Sequence, residues 1–318
     1  MKPRVEFDLS ILKNNIVKLK NKTNNINFLF PVKCCNNPKV LEMIVANNFG
    51  FDISNINEFK IIEKYLTNQF VSVSGPLSYE LLYCEYHNIN IVANNFSSYK
   101  ENNGLRINFN SNNKFEFSRF GVDYKLVEES IRKKITYIHL HNSDHRDLEK
   151  CKYIYEEIKN ILTYFPNLNK INIGGHLEDL SFDDGINYLR TMRDLIPKNI
   201  SLYVELGDFL FKGVGILYGN VVDVRQDNGL QVVTLNFSKM ANQRWAYPQY
   251  LTSDNDNLMH TIFYGCSCCE TDVYLETQSK ILNIGDEVKF TNISPYSYQW
   301  NTSFNGVKEM EYIFKWLI

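Results

Sequence analysis

Eight β-rich runs fill the first two thirds of the chain, and a longer segment separates each from the next. They begin about every twenty to thirty residues and occupy 27–32, 50–53, 70–74, 90–93, 105–109, 135–140, 170–173 and 201–204. Eight alternating β and α units are the number that closes a (β/α)8 barrel. The pattern therefore predicts an α/β fold built on a TIM-like barrel.

Two of the intervening segments have clear helical patterning. Residues 37–47 place Val40 and Ile44 on one face, and residues 147–164 repeat the pattern around Ile158. A single apolar stripe of this kind is typical of a helix that packs against a sheet. We predict that both segments are outer helices of the barrel.

The pattern changes after about residue 215 to alternating runs separated by turns, at 215–237 and 284–293. An Asp-Asn-Gly sequence at 227–229 indicates a tight hairpin. We predict a barrel over residues 9–215 and an antiparallel β-domain over residues 216–318, with residues 1–8 adding a strand to that domain.

Charge and hydropathy exclude two classes of partner. Lys and Arg total 34 against 36 Asp and Glu, so no basic excess is available to neutralise nucleic acid. The opening residues lack the apolar segment of a signal peptide, and no apolar stretch approaches the roughly 20 residues of a membrane helix. Seven cysteines, five of them in two tight groups, suit reduced thiols. We expect a cytoplasmic protein without nucleic-acid or membrane partners.

Chemically useful residues follow several of the predicted strands. They are Lys33, Asp52, Ser54, His141, Gly174, Gly175, His176, Glu205 and Gly207. A barrel of this kind carries its chemistry at the carboxyl ends of its strands, so these side chains should meet at one rim. Taken singly, Lys33 could equally be a solvated loop lysine, and the glycine pair an ordinary tight turn.

Together these residues match the requirements of pyridoxal 5′-phosphate (PLP). An amine in apolar surroundings is favoured in its neutral, nucleophilic form and can bind an aldehyde, which is the role we predict for Lys33. The glycine pair allows backbone N–H groups to approach a phosphate. Glu205 is suited to hold a ring nitrogen protonated, and His141 to cover a ring face. His139 is expected to point away from His141, into packing.

Seven segments carry a resemblance to the fold-type III PLP-dependent decarboxylases, the family of diaminopimelate, ornithine and carboxynorspermidine decarboxylases. The first, FPVKCCNNPKVLEMIVANNFGFDISNINEF at 30–59, resembles the segment of the cofactor lysine. The others follow in the family's order: SRFGV at 118–122, IHLHN at 138–142, INIGGH at 171–176, VELGD at 204–208, GCSCCETD at 265–272 and SPYSYQWNTSFNGV at 294–307.

The resemblance implies an alanine racemase-like barrel, a homodimer with shared active sites, and a role for each matched residue. We expect no bound metal. The catalytic residues would be Lys33, Cys268 and His141, with Cys269 as an alternative to Cys268. Those that bind PLP would be Lys33, His141, Gly174, Gly175, Glu205, Gly207 and Tyr296. Candidates for substrate contact are His176, Asp272 and Asn236.

Departures from the family pattern bear on how phosphate is bound and on which substrates are expected. Leu206 replaces a proline, and Asp208 stands where many members have a phosphate-binding arginine, so phosphate contacts should depend more on backbone amides. The Gly-Gly-His ending and the Phe-Asn-Gly at 304–306 are closest to the carboxynorspermidine branch. We expect removal of the α-carboxylate from an amino acid with a long arm. One form is a 3-amino-3-carboxypropyl group on a larger molecule, as in polyamine or microcin C-type peptide biosynthesis.

Two alternatives remain. A PLP-dependent racemase or aldolase would share the architecture, although the Cys-x-x-x-Asp spacing at 268–272 favours a decarboxylase. A non-catalytic or metal-binding relative would use the thiols, but Cys266-x-Cys268-Cys269 lacks the Cys-x-x-Cys spacing that zinc sites favour.

Overall fold

The computed structural model describes residues 2–100, 104–108, 119–141, 148–245, 247–252 and 258–316. The chain forms two compact units. One is Ile16–Phe209, and the other combines Met1–Asn15 with Leu210–Ile318.

Sixteen strands and eight α-helices are found in the described residues. The strands are β1 (Arg4–Asp8), β2 (Ile26–Pro31), β3 (Gly50–Ile53), β4 (Val71–Val73), β5 (Ile89–Ala93), β6 (Gly104–Ile107), β7 (Tyr137–Leu140), β8 (Lys170–Asn172), β9 (Ser201–Glu205), β10 (Gly215–Asp227), β11 (Leu230–Leu235), β12 (Gln249–Tyr250), β13 (Leu258–Tyr264), β14 (Val273–Lys280), β15 (Glu287–Thr291) and β16 (Glu311–Lys315). The helices are α1 (Leu9–Lys22), α2 (Pro38–Ala46), α3 (Ile56–Ile62), α4 (Glu129–Arg132), α5 (Leu148–Tyr164), α6 (Phe182–Leu195), α7 (Lys239–Asn242) and α8 (Tyr296–Trp300).

The unit Ile16–Phe209 is a closed barrel of eight parallel strands, β2 to β9 in sequence order. β2 completes the circle by pairing with both β3 and β9. The predicted barrel is therefore confirmed, and each predicted run overlaps one of its strands. The strands are buried on both faces, as parallel sheets require, with Leu29, Phe51 and Leu202 inaccessible to solvent.

Helices α2 and α5 confirm the two predicted outer helices. The start of α2 is defined by a side-chain cap at the end of the loop that follows β2. The Asn37 side chain caps α2 by accepting from the Lys39 backbone N–H, and Pro38 supplies the first helical residue. Not every connection is an α-helix, since 3₁₀ turns at Ser78–Leu81 and Phe96–Ser98 follow β4 and β5.

The second unit is a mostly antiparallel sheet with the strand order β12-β15-β10-β11-β13-β14. The predicted hairpin joins β10 to β11, and Asn228 and Gly229 both have positive φ (46° and 84°), as a type I′ turn requires. β1 pairs antiparallel with β10 and parallel with β16. β11 and β13 are also parallel, so the antiparallel pattern has two exceptions.

In the part of the chain that the structure describes, no helix has the length and apolar character needed to cross a membrane.

Candidate active site

Lys33 lies two residues after the end of β2, at the carboxyl end of the barrel strands. The Cys34 backbone N–H donates to the Pro31 carbonyl (2.9 Å), and this tight turn leaves the Lys33 side chain 45% exposed between buried neighbours. Its Nζ lies 3.4 Å from Oδ2 of Asp52, on the adjacent strand β3. The other oxygen of Asp52 accepts from the Ser74 hydroxyl at 3.1 Å. The lysine therefore faces a fixed, buried carboxylate.

This charge environment reverses the predicted protonation state of Lys33. Burial lowers the pKa of Lys33, but the negative charges of Asp52 and Glu205 outweigh it, and the pKa is raised. Burial and the charge of Glu205 in turn raise the pKa of Asp52. The neutral amine expected from sequence is wrong for the cofactor-free protein, in which the ammonium form is favoured. Asp52 is placed to accept the proton that the amine must release before it attacks a carbonyl.

Glu205 ends β9 inside the barrel and is 5% exposed. Its Oε1 accepts from Asn172 Nδ2 at 2.8 Å and lies 3.0 Å from His139 Nε2. Burial would raise the pKa of Glu205, but the adjacent His139, together with Lys33 and His141, lowers it well below the usual range. The carboxylate is therefore ionised at neutral pH and can hold a positive charge.

His141 follows β7, with Nδ1 3.8 Å from Oε2 of Glu205. Burial lowers its pKa to about 3, so the imidazole is neutral at physiological pH. With a third of the side chain exposed, the ring presents an uncharged aromatic face at the rim.

The prediction that His139 points away from His141 is wrong. Side chains alternate along a strand, so residues two apart share a face. His139 and His141 both turn toward Glu205, and their ring centroids are 6.1 Å apart. Burial lowers the pKa of His139 as well.

The glycines after β8 and β9 are required by close packing. Gly174 has φ of 70°, and a Cβ there would lie 2.5 Å from His141 Nδ1. A Cβ on Gly175 would lie 2.5 Å from the Glu205 carbonyl oxygen, and one on Gly207 3.0 Å from Cys34 Sγ. The N–H of Gly174 donates to Asn172 Oδ1 (2.9 Å), whereas those of Gly175 and Gly207 have no partner among the described residues. Two backbone donors thus remain for an anion.

Acidic side chains surround the same loop. His176, also at φ of 70°, has Nδ1 3.3 Å from Glu178 and Nε2 3.7 Å from Asp179. Asp208 follows Gly207 and begins a 3₁₀ turn. An anion bound here would receive its attraction from backbone amides rather than from an arginine.

Three of the predicted residues lie in the second unit, around one loop and its neighbours. Cys268 is exposed, and its backbone N–H donates to Asn305 Oδ1 (3.1 Å), so the cysteine motif contacts the Phe-Asn-Gly motif. Cys269 is half-buried. Asp272 is fully buried, and its two carboxylate oxygens accept from the backbone N–H groups of Met240 and Ser267, each at 3.2 Å. Those bonds brace the loop, and a substrate contact at Asp272 stays a prediction.

The two remaining predicted residues of this unit also have local partners. Asn236 accepts from the Asn220 backbone N–H at 2.9 Å, beside the irregular pairing of β10 and β11. Tyr296 begins α8, with its ring 5.0 Å from that of Trp245 in an edge-to-face arrangement. Two motif residues, Ser118 and Asn142, lie outside the described residues.

Several polar residues of the barrel interior are not predicted from sequence as site residues, because they lie within strands and not after them. Asn172, His139 and Arg106 lie within strands, each buried. A polar residue at an inward position of a buried strand was the available signal. Arg106 stacks on Phe120, 4.5 Å from the ring centroid, and burial lowers its pKa despite the nearby negative charge of Glu205.

His139, His141 and Glu205 could also be considered for a metal, because their ligand atoms lie within 4.8 Å of one another. Lys33 and Arg106, however, already place positive charge beside Glu205. The cluster is therefore better suited to holding an ionised carboxylate than a divalent cation.

Burial of neutral His139 makes stability depend on pH. Its folded-state pKa lies below the unfolded value near 6.5, so the unfolded chain binds the extra proton as pH falls through that value, and the free energy of unfolding decreases. The raised pKa of Asp52 acts in the opposite direction, so the effect is best measured as a difference. We expect His139→Gln to lose less stability than wild type between about pH 7.5 and 5.5, by up to about 1.4 kcal/mol per pH unit. Urea unfolding at several pH values measures this. Identical slopes for the two proteins would contradict it.

Comparison with known proteins gives the fold a context. No protein-family model matches the chain. A queuine tRNA-ribosyltransferase-like protein of Plasmodium falciparum is 31% identical over 97 residues, which cover 29% of this chain and 39% of that protein. The match thus spans well under half of that relative's length.

Solved structures match along nearly the whole chain. An arginine decarboxylase of Paramecium bursaria Chlorella virus, bound to agmatine, has a TM-score of 0.80 at 19% identity over 99% of this chain and 96% of its own. A Vibrio vulnificus lysine/ornithine decarboxylase with putrescine has a TM-score of 0.79 at 16% identity, over 98% of this chain and 94% of its own. A Campylobacter jejuni carboxynorspermidine decarboxylase with norspermidine has a TM-score of 0.76 at 20% identity, over 99% of this chain and 94% of its own. The chain has the fold of the fold-type III decarboxylases.

Proposed function

We propose that the chain is a PLP-dependent decarboxylase that removes the α-carboxylate of an amino acid. The observation that carries this proposal is the combination of Lys33 at the barrel mouth with an ionised, buried Glu205 and a neutral His141. PLP requires an amine for its aldehyde, an anionic partner for its ring nitrogen and an uncharged ring against its face, and these three groups provide them. The likeness to solved decarboxylases supports the same reading through the fold.

The barrel residues fit the cofactor. Lys33 would bind its aldehyde covalently, Glu205 would pair with its pyridine nitrogen, and His141 would lie against its ring. The free N–H groups of Gly175 and Gly207 would bind its phosphate, with Gly174 shaping the loop. By resemblance, Tyr296 would add a phosphate contact. When bound, PLP supplies the electron sink that loss of CO2 requires.

The protein's own groups supply the proton transfers and the electrostatics. Asp52 accepts the proton of Lys33, and Glu205 stays ionised so that a positive charge opposite it is stabilised. The resemblance assigns proton delivery to the product carbon to Cys268, in a homodimer whose subunits share their active sites. Seven free cysteines support a reducing, cytoplasmic setting.

The proposed substrate is an amino acid with a long arm, such as a 3-amino-3-carboxypropyl group that becomes an aminopropyl group. The Gly-Gly-His sequence at 174–176 and the contact of Asn305 with Cys268 support the carboxynorspermidine-like branch. Polyamine precursors and microcin C-type modified peptides both carry such a group.

A panel assay tests the function and the substrate together. Purified protein with PLP is given carboxynorspermidine, arginine, lysine, ornithine and diaminopimelate, and CO2 release and enantiomer exchange are both measured. We expect CO2 from carboxynorspermidine. Exclusive turnover of lysine or ornithine would overturn the substrate proposal, and enantiomer exchange without CO2 would make the protein a racemase.

Cys268→Ala should lower kcat by about 10²- to 10⁴-fold, the usual contribution of a positioned general acid. Cys269→Ala, a change of the same size at the adjacent position, is the matched control and should stay within a few-fold of wild type. CO2 release under saturating substrate measures both. If the losses are exchanged, Cys269 is the donor, and if neither variant slows, the thiol has no role in protonation.

A further inference from the structure

We propose that His139 and Asn172 are positioning residues that hold one oxygen of Glu205 and leave the other to the cofactor. The inference rests on the proposed function, because it concerns how Glu205 meets PLP. Both residues are buried; Asn172 lies on β8, the strand beside that of Glu205, and His139 lies one strand further, on β7.

The sheet register brings the three side chains together. His139 on β7 is opposite Asn172 on β8, and Asn172 is opposite Tyr203 on β9, two residues before Glu205. Residues two apart on a strand share a face, so Tyr203 and Glu205 point the same way. The interior of the barrel therefore aligns two donors beside one carboxylate.

The amide of Asn172 has a determined orientation. Its Oδ1 accepts from the Gly174 backbone N–H at 2.9 Å, so its NH2 group must face the barrel interior. There Nδ2 donates to Glu205 Oε1 at 2.8 Å and to the Tyr137 hydroxyl at 3.3 Å. Reversing the amide would break the hydrogen bonds with Gly174 and Glu205.

The imidazole of His139 is fixed by the same carboxylate. Its Nε2 lies 3.0 Å from Oε1, and because an ionised carboxylate only accepts, this contact favours the tautomer with the proton on Nε2. Both ring nitrogens are buried, and neither meets hydrogen-bond geometry with a described residue, so the contact is electrostatic. With His139 1% exposed, the carboxylate of Glu205 is the polar group that Nε2 contacts.

Oε1 of Glu205 thus accepts from Asn172 and is in close contact with His139 Nε2, whereas Oε2 has, among the described residues, only His141 Nδ1 at 3.8 Å, beyond hydrogen-bond length. These two contacts on one oxygen oppose rotation of the carboxylate and favour its ionised form. Oε2 is therefore the oxygen available to a protonated ring nitrogen.

The first test measures the Kd for PLP by fluorescence quenching in wild type, His139→Phe and His139→Gln. The glutamine Nε2 can donate from nearly the same place as the imidazole Nε2, whereas phenylalanine fills the space without a donor. We expect His139→Phe to weaken PLP binding about tenfold or more and His139→Gln to stay within about threefold. Equal weakening by both, with folding intact by circular dichroism, would overturn the proposal.

A matched control is available in the second unit. His260 Nε2 lies 3.0 Å from Glu276 Oε1, a histidine–glutamate contact of the same length on an exposed surface. His260→Phe should leave the Kd for PLP unchanged. If His260→Phe weakened PLP binding as much as His139→Phe does, the effect would come from removing any histidine–glutamate contact, and the proposal would be overturned.

The second test needs no cofactor. The Tm values of wild type, His139→Phe, Glu205→Gln and the double variant form a double-mutant cycle. The Tm of the double variant should fall by less than the sum of the two single decreases, because both single changes break the same contact. Additive losses would overturn the positioning role. If wild type fails to bind PLP while the cycle is non-additive, the proposed function fails and the contact stands.

Discussion

Lys33→Ala is expected to abolish the visible absorption that the protein gains with PLP and to reduce CO2 release by on the order of 10³-fold or more. Covalent attachment needs a nucleophilic nitrogen near the end of β2, and alanine at position 33 removes it. An absorption spectrum after removal of free PLP and an assay of CO2 release measure the two effects.

Two control variants separate covalent attachment from charge. Lys33→Arg keeps a positive charge beside Asp52 but lacks a nucleophilic amine, so it should be as inactive as Lys33→Ala. Lys39→Ala, on the first turn of α2, should keep both the absorption and the turnover. Turnover by Lys33→Arg at more than a few per cent of wild type would exclude the covalent role.

Glu205→Gln is expected to lower kcat by about 10²- to 10³-fold, the usual cost of losing one preorganised electrostatic partner in a dry site. The amide is nearly the same size as the carboxylate but cannot stabilise a positive ring nitrogen. Burial would also favour the neutral side chain, so the folded protein should remain intact. Single-turnover CO2 release isolates the chemical step from product release.

Glu205→Asp provides the comparison for this variant. It keeps the negative charge while shortening the side chain, so it should retain more activity than Glu205→Gln. A Glu205→Gln protein within about threefold of wild type would contradict the electrostatic role of this carboxylate.

Acidic side chains lie close to the proposed phosphate site at Gly175 and Gly207. Glu178, Asp179 and Asp208 carry like charge near the place where a phosphate would bind. The backbone N–H groups of Gly175 and Gly207 have no partner among the described residues, so they are the donors available to such a phosphate. If PLP binds as proposed, its phosphate is held by geometry more than by net charge.

The sequence by itself determined the barrel and the hairpin of the second unit. Short β-rich runs such as 50–53 gave the strands, because the hydrophobic pattern of a buried parallel strand is local. Asn228 and Gly229 gave the turn, because a type I′ turn needs positive φ at both positions. Lys33 and Glu205 were found because the carboxyl end of each strand is a predictable place for chemistry in a barrel.

Only the tertiary structure decided how these residues act on one another. The pairing of Lys33 with Asp52, the contacts of His139 and Asn172 with Glu205, and the burial of Asp272 join residues that are distant in sequence. Protonation depends on burial and on charges from neighbouring strands, so local pattern predicted a neutral Lys33 where the assembled carboxylates favour its charged form. Strand order and register set those distances, and neither is written in any single segment.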